Sequence, residues 1–357
     1  MKAIVVGGTG ASGATVVNGL IARGFEVSIY HRGAHEVDEM AHVPHIHGNP
    51  FSLPDLERDL GKETYDLAVC MYGRLRCVAM ALAGKTGKFV GLTGGPAYRG
   101  FGNPDYAVPG IGVLTDEEYP LTEDRSAEPR GSAIVYSERE VMQNHKKGNF
   151  KAVILRYPGV YGPRVARQRL WPLVRRVLDG RRHVILPGDG SLVRPRGFTD
   201  NVAHAVLLAC DKEEANGQIY NVGDEQNLTI KEITTLIGQT LSHDWEIVEI
   251  SHPLAYDLAR GYATPSHSMI WDLFKIKHEL GYQDVVPVPE AIRRTAQWLV
   301  TNRQQIGEQE EALVGNPYAY NIEDKLIASF MSWKKDVSAS IPTPELSPTI
   351  GEYRDKI

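Results

Sequence analysis

Residues 1–32 read MKAIVVGGTGASGATVVNGLIARGFEVSIYHR, and this stretch decides how the whole chain is read. Lys2 to Val6 is a short apolar run, Gly7 to Gly13 a glycine turn, Ala14 to Arg23 a helical pattern, and Glu26 to Tyr30 a second apolar run. The glycines fall as Gly8-x-Gly10-x-x-Gly13, between a buried strand and the helix it feeds. That placement matters, because glycines let the backbone turn tightly and approach a pyrophosphate, whose charge then meets the free N–H groups at the helix start. The spacing predicts a βαβ unit with a dinucleotide held by Gly7, Gly8, Thr9, Gly10, Ala11, Ser12 and Gly13.

The end of the second strand refines the expectation. A carboxylate at this point hydrogen-bonds the adenosine ribose and selects NAD. Here the residues are Tyr30-His31-Arg32-Gly33. Arg32 is suited to pair with a 2′-phosphate, with His31 beside it, so NADP is the expected cofactor and NAD the alternative.

The chain has 357 residues, 42% apolar and 23% charged, with 39 basic and 44 acidic residues. A net charge of −5 argues against a nucleic-acid surface. The basic run from Arg164 to Arg182 reads as a solvated helix face. No apolar run approaches the roughly 20 residues of a membrane span. The first strand starts at residue 2 and the three cysteines show no metal-ligand spacing, so a reducing, cytoplasmic setting is expected.

Apolar runs at Tyr65–Met71, Lys88–Thr93 and Lys151–Tyr157 alternate with helical patterns at 74–83 and 132–147, and His45-Ile46-His47 is a possible third strand. Continuous apolar strands between helices predict a parallel sheet covered on both faces. The Gly- and Pro-rich stretch from Gly94 to Pro129 is a loop region at the sheet's C-terminal edge, where such folds bind ligands. After Pro163 the elements shorten; Thr229 N-caps a helix to Leu241, and residues 288–303 are amphipathic. The expected architecture is α/β. A Rossmann-type doubly wound sheet spans residues 1–163, with contributions from about 197–225. A smaller C-terminal substrate lobe spans 164–305, and an extension spans 306–357.

Several segments then resemble one family, the extended short-chain dehydrogenase/reductases, or NAD-dependent epimerase/dehydratase family. Tyr119-Pro120-Leu121-Thr122-Glu123-Asp124 resembles the acidic loop before its active-site helix. Arg156-Tyr157-Pro158-Gly159-Val160-Tyr161-Gly162-Pro163 resembles its segment after the sixth strand. Phe198–Ala203, Tyr220–Gly223 and Lys277–Trp298 are similar to later landmarks in the same order. The resemblance implies a hydride exchanged with a carbon bearing oxygen, a Tyr-x-x-x-Lys pair, and a Ser or Thr that orients the carbonyl. It also places Tyr157 and Pro158 at the cofactor, Val160 at the substrate, and a dimer as the assembly.

The sequence departs from that pattern at the catalytic end. Counting back from Arg156, Ser132 takes the tyrosine position and Tyr136 the lysine position; if Tyr136 is the tyrosine, Glu140 replaces the lysine. The pair is absent in either register, with Arg139 the cation one turn from Tyr136. Thr93 keeps a hydroxyl at the end of the fifth strand, and Tyr98 is a displaced candidate donor that also reads as substrate-binding. The catalytic candidates are therefore Tyr136, Thr93 and Tyr98, with Thr93 also at the cofactor. Asn49 stands where the family's aspartate contacts adenine, and Tyr72 where the pyrophosphate and ribose pass. Arg194 matches the arginine that grips a diphosphate in sugar-nucleotide members. The twelve histidines, five of them between His31 and His47, read as surface residues, and no metal is expected.

Three functions follow: an NADP-dependent reductase or dehydrogenase acting on a small or mid-sized carbonyl or alcohol with a non-standard proton donor; a sugar-nucleotide epimerase or dehydratase; and a non-catalytic NADP-binding sensor. The expected partners are a small-molecule substrate and a second copy of the chain, without nucleic acid or membrane. The tail aromatics Tyr318, Tyr320, Phe330 and Trp333 are expected to pack on the substrate lobe or on that second copy.

Overall fold

A computed structural model describes residues 1–33, 38–71, 75–110, 112–251, 254–255, 259, 267–314, 318 and 320–341. Tyr72 and the prolines Pro342, Pro344 and Pro348 lie outside the described residues. The centre is a seven-stranded parallel sheet built from β1 (Lys2–Val6), β2 (Glu26–His31), β3 (His45–His47), β4 (Tyr65–Cys70), β5 (Thr86–Gly94), β7 (Lys151–Tyr157) and β11 (Gln218–Asn221). Their order across the sheet is β11-β7-β5-β4-β1-β2-β3. The order reverses between β1 and β4, so the crevice for a nucleotide opens at the end of β1.

The apolar runs are continuous because the sheet is covered on both sides. On β1, Ala3 and Val5 face one core with Val16, Val17 and Leu20 of α1 (Gly13–Ala22) and Val202 and Val206 of α6 (Thr199–Asp211). Ile4 and Val6 face the other, with Leu56 and Leu60 of α2 (Leu53–Leu60), Val78 of α3 (Arg76–Ala81) and Val141 of α4 (Pro129–Lys146). Side chains alternate across a strand, so every second residue serves one helical layer. Helix α4 begins three residues before the expected Ser132, with Pro129 in its first turn, where a missing N–H costs nothing. Helix α2 has no counterpart in the sequence reading. Its core face is Leu56 and Leu60 with half-buried Leu53, and its start is set by the Ser52 side chain accepting from the Asp55 N–H.

The second lobe packs α5 (Trp171–Leu178), α7 (Ile230–Thr240) and the helix Val288–Thr301 around a separate apolar cluster that includes Trp171, Ile233, Ile237, Ile292 and Leu299. Thr229 caps α7 in a full capping box with Glu232. Three two-stranded parallel pairs complete the structure: β8 (Gly159–Tyr161) with β10 (Arg196–Phe198), β9 (His183–Pro187) with β12 (Glu246–Ile250), and β6 (Leu114–Thr115) with β13 (Ile270–Trp271).

The extension packs on the second lobe of its own chain. Ile327, with Leu326 and Phe330, joins Ile185, Val248 and Ile250 of the β9/β12 pair. Glu323 is ion-paired with Arg176, both fully buried, and the Tyr320 hydroxyl donates to Asp179 at 2.7 Å. Arg176 therefore corrects the reading of 164–182 as a solvated face throughout, because a nonlocal helix covers it. Trp333 and Met331 remain exposed. No helix among the described residues is long and apolar enough to cross a membrane.

Candidate cofactor and substrate sites

The glycine turn leaves β1 with the Gly7 N–H donating to the Tyr30 carbonyl of β2 at 2.9 Å. A Cβ at Gly13 would lie 2.0 Å from the Gly8 carbonyl oxygen, so turn and helix touch backbone to backbone. A Cβ at Gly10 would meet nothing within 4 Å. The first turn of α1 carries no acidic residue and Ser12 makes no capping hydrogen bond with its side chain. The helix dipole therefore faces an open, acid-free approach, and the residues present suit a pyrophosphate. Beyond β2, Arg32 is exposed with its guanidinium 5.9 Å above the Phe51 ring, while His31 is buried. Asn49 is exposed, and its carbonyl oxygen accepts from the Phe51 N–H at 3.1 Å. That bond orders the loop and leaves the side-chain amide N–H groups for a base edge.

A second opening, a cavity of about 360 Å³, lies between the end of β5, the β7–β8 segment and the second lobe. It is lined by Thr93, Tyr157, Pro158, Val160 and Arg194 from the sequence reading, and by Phe101, Arg130, Tyr161, Arg169 and Arg196, which that reading had not selected. Four arginines and no carboxylate or lysine stand among its described lining residues. Arg194 is only 7% exposed; it donates to the Phe101 carbonyl at 2.7 Å, reaches His267 Nε2 at 3.0 Å and lies 4.4 Å over the Phe101 ring. Arg196 donates to the Leu228 carbonyl at 3.2 Å. Burial pushes both guanidinium groups down to about 10, and for Arg194 the neighbouring Arg196 adds to it. Neither makes an ion pair with a carboxylate among the described residues. Buried Arg194 and half-buried Arg196, held by carbonyls, an imidazole and a ring, form an anion-binding arrangement. The sequence signal for Arg196 was its place two residues after Arg194, on the same face of an extended segment.

The catalytic candidates do not converge on this cavity. Tyr98 is 0% exposed: its hydroxyl donates to Asn221 Oδ1 at 2.6 Å, its ring lies under Arg156 at 4.7 Å, and burial pushes its hydroxyl upward. It faces the core rather than the cavity, which corrects its reading as a displaced proton donor and substrate contact. Tyr136 is 55% exposed on α4, with Arg125 5.7 Å over its ring, and does not line the cavity. Arg139 is exposed and paired with Glu123.

Thr93 lines the cavity, but its hydroxyl donates to Glu138 Oε1 at 2.6 Å. Glu138 in turn takes Arg156 Nε at 3.1 Å and Nη2 at 2.7 Å. Both charges are buried, so deleting one partner alone would strand the other at a cost of about 3–5 kcal/mol. With its proton committed to this network, Thr93 is suited to accept a hydrogen bond from a substrate hydroxyl rather than to donate one to a carbonyl. Ser132, in the family's tyrosine position, is buried and donates to the Pro129 carbonyl. The other cavity hydroxyls are Tyr157, which donates to the Val202 carbonyl at 3.2 Å, and Tyr161, buried beside Asp224. Burial pushes both upward, and the Asp224 carboxylate adds to this for Tyr161.

Residues 106–223 match the model of the NAD dependent epimerase/dehydratase family. The chain is 27% identical over 221 residues to the uncharacterized protein y4nL of Sinorhizobium fredii, covering 54% of this chain and 61% of the relative. It is 27% identical over 217 residues to human dTDP-D-glucose 4,6-dehydratase, covering 57% and 59%. The chain thus spans about three fifths of the length of these relatives. Among solved structures, UDP-glucose 4-epimerase of Thermotoga maritima, crystallised with UDP-glucose, superposes with a TM-score of 0.67 at 21% identity over 85% of this chain and 100% of the other. The dTDP-glucose 4,6-dehydratase DesIV of Streptomyces venezuelae, solved with NAD bound, has a TM-score of 0.67 at 21% identity over 87% and 100%. Residues 106–223 thus resemble the NAD dependent epimerase/dehydratase family, and the seven-stranded parallel sheet is the Rossmann-type α/β fold shared with these solved structures. Its named relatives are enzymes, and they agree better with the epimerase/dehydratase reading than with the simple reductase first weighed.

Proposed function

We propose that this protein is an NAD(P)-dependent enzyme acting on a nucleoside-diphosphate sugar, in the manner of its epimerase and dehydratase relatives. The observation that carries the reading is Arg194, buried without an ion pair among the described residues, and half-buried Arg196 beside it, in a cavity at the sheet edge that also carries the glycine turn. A diphosphate supplies the negative charge that Arg194 lacks, and arginine forks match its oxygens. Gly7 to Gly13 would hold the cofactor's pyrophosphate, Asn49 its adenine, and Tyr157 and Pro158 would border it at the cavity. The bound cofactor would supply hydride exchange. The chain's own contribution is to orient a sugar hydroxyl through Thr93 and to shield it among Phe101, Val160 and Tyr161. NADP is favoured over NAD because exposed Arg32, rather than a carboxylate, follows β2. Cytoplasmic location and a homodimer belong to the same proposal, by analogy with the family.

A second reading, a dinucleotide-dependent binding protein without turnover, is favoured by one observation. The cavity's titratable groups are arginines and upward-shifted tyrosines, none of which is a general base at neutral pH. One experiment separates the two. The intact chain is titrated calorimetrically with UDP, dTDP and their glucose conjugates, with and without NADPH or NADH, and the products are then analysed by mass spectrometry. Binding with conversion supports the enzyme; binding without conversion supports the sensor; and failure of every diphosphate to bind refutes the anion-site reading on which both substrate assignments rest.

A further inference from the structure

Three imidazoles meet at the sheet's outer edge, away from the cavity. Strand β3 pairs with β2 in the register Ile29↔His45, Tyr30↔Ile46 and His31↔His47. Because side chains alternate, His31, His45 and His47 share one face of this two-strand edge, and Tyr30 and Ile46 take the other. His31 Nε2 and His45 Nδ1 lie 2.7 Å apart, and one nitrogen from each of the three rings falls within 4.8 Å of the others. The ring centroid of His31 is 4.9 Å from that of His45 and 4.8 Å from that of His47. His31 is 2% exposed, His45 half-buried and His47 exposed, so the cluster has a buried floor and an open side.

Backbone groups set the tautomers. His45 Nε2 lies 3.0 Å from the Met40 carbonyl, which can only accept, so this nitrogen carries the proton and His45 Nδ1 presents a lone pair to the cluster. A carbonyl behind the far nitrogen is the usual support of a metal-ligating imidazole. The Gly33 N–H donates to His31 Nδ1 at 3.3 Å. The remaining proton thus sits between His31 Nε2 and His45 Nδ1. When a cation replaces it there, His31 carries its proton on Nδ1 instead and gives up the long Gly33 contact.

We propose that His31, His45 and His47 form a binding site for a divalent late first-row transition ion, of which Zn²⁺ is the representative, with the open side left to water. Imidazole nitrogen is a preferred ligand of such ions, and three histidines with an exchangeable fourth position is an established coordination set. Tetrahedral Zn–N bonds of about 2.0–2.1 Å place ligand nitrogens about 3.4 Å apart. Reaching that spacing needs the His31–His45 contact to open by less than 1 Å, roughly, while His47 swings inward from its exposed edge-strand position. The site stands on different residues from the cavity and does not depend on the substrate assignment.

The test uses the full chain without an affinity tag, stripped with EDTA and desalted. Zn²⁺ is titrated calorimetrically and Co²⁺ by its visible d–d absorption. The expected result is one ion per chain at micromolar affinity or tighter, a tetrahedral Co²⁺ spectrum, and at least roughly tenfold weaker binding in His47→Ala and in His45→Ala. His47 is exposed at the edge strand, so His47→Ala should keep the circular dichroism of the folded chain, and its metal-free melting midpoint is measured beside the native one. Absence of stoichiometric binding overturns the proposal. So does equal binding by the native chain and both variants, which would place the ion on other residues.

Discussion

Replacing Arg194 by methionine should leave the empty protein about as stable as the native chain and weaken its ligand complex. Arg194 is buried without a carboxylate, and burial together with Arg196 brings it down from 12.5 to about 10. At about 1.4 kcal/mol per pH unit, holding this charge costs the folded state roughly 3 kcal/mol. The sign follows from linkage: a cation with a depressed folded pKa bears its full penalty below pH 10 or so, and is relieved only as the pH rises toward the unfolded value. At neutral pH the cost is present in full. Methionine removes it but also loses the bonds to Phe101 and His267 and the ring contact, worth on the order of 1 kcal/mol each. The two nearly cancel, so the net expectation is a stability within about 1 kcal/mol of native and a melting midpoint little changed. A charged hydrogen bond to a diphosphate is worth about 1.5–3 kcal/mol, so UDP and UDP-glucose should bind about 10- to 100-fold more weakly. Scanning fluorimetry without ligand and calorimetry with UDP measure both arms. A variant that melts many degrees below the native chain, or that binds UDP as tightly, would refute the reasoning.

Other perturbations address the cofactor end and the second lobe. Arg32→Asp should lower NADPH affinity by about 10- to 100-fold relative to NADH, measured by nucleotide fluorescence; an unchanged ratio removes Arg32 from cofactor selection. Gly10→Ala should leave the unliganded melting midpoint within about 0.5 kcal/mol of native, since its Cβ meets nothing, yet weaken dinucleotide binding. Gly13→Ala should lose both stability and binding, because its Cβ collides with the Gly8 carbonyl. Equal behaviour of the two variants would show that the turn does not receive the pyrophosphate. Asp284 is raised to about 7 by burial and by the nearby Asp224 carboxylate. Between its unfolded value of 3.8 and about 7 the folded chain keeps this proton while the unfolded chain loses it, so stability falls as pH rises through that window. Asp284→Asn should flatten this slope in urea titrations, raising stability at pH 8 while leaving it unchanged near pH 4.

What local chemistry controls was legible along the chain. The glycine turn, the two-sided apolar strands and the cap at Thr229 are set by neighbours a few residues away, and Lys151–Tyr157 appears in the structure with the bounds its pattern marks. Helix α2 was missed although Leu53, Leu56 and Leu60 fall at helical spacing, because its eight residues span barely two turns and its mean hydropathy is low. The sites divide along the same line. Gly8, Gly10 and Gly13 lie in one turn, and their roles follow from spacing.

Tyr98 and Arg194 both stand in polar, irregular stretches, and nothing local says that one turns inward to Asn221 and the other borders the cavity. That depends on the strand order, which puts β11 beside β7 and so brings Asn221 to Tyr98. Strand register likewise converts three histidines scattered over 17 residues into one cluster, and the Tyr320–Ser340 helix turns a basic run into a buried ion pair at Arg176. Periodicity tells a residue which side of its own element it takes. Which cavity, ion or partner lies on that side is decided only when distant strands pair, because those contacts join residues with no short-range correlation in the chain.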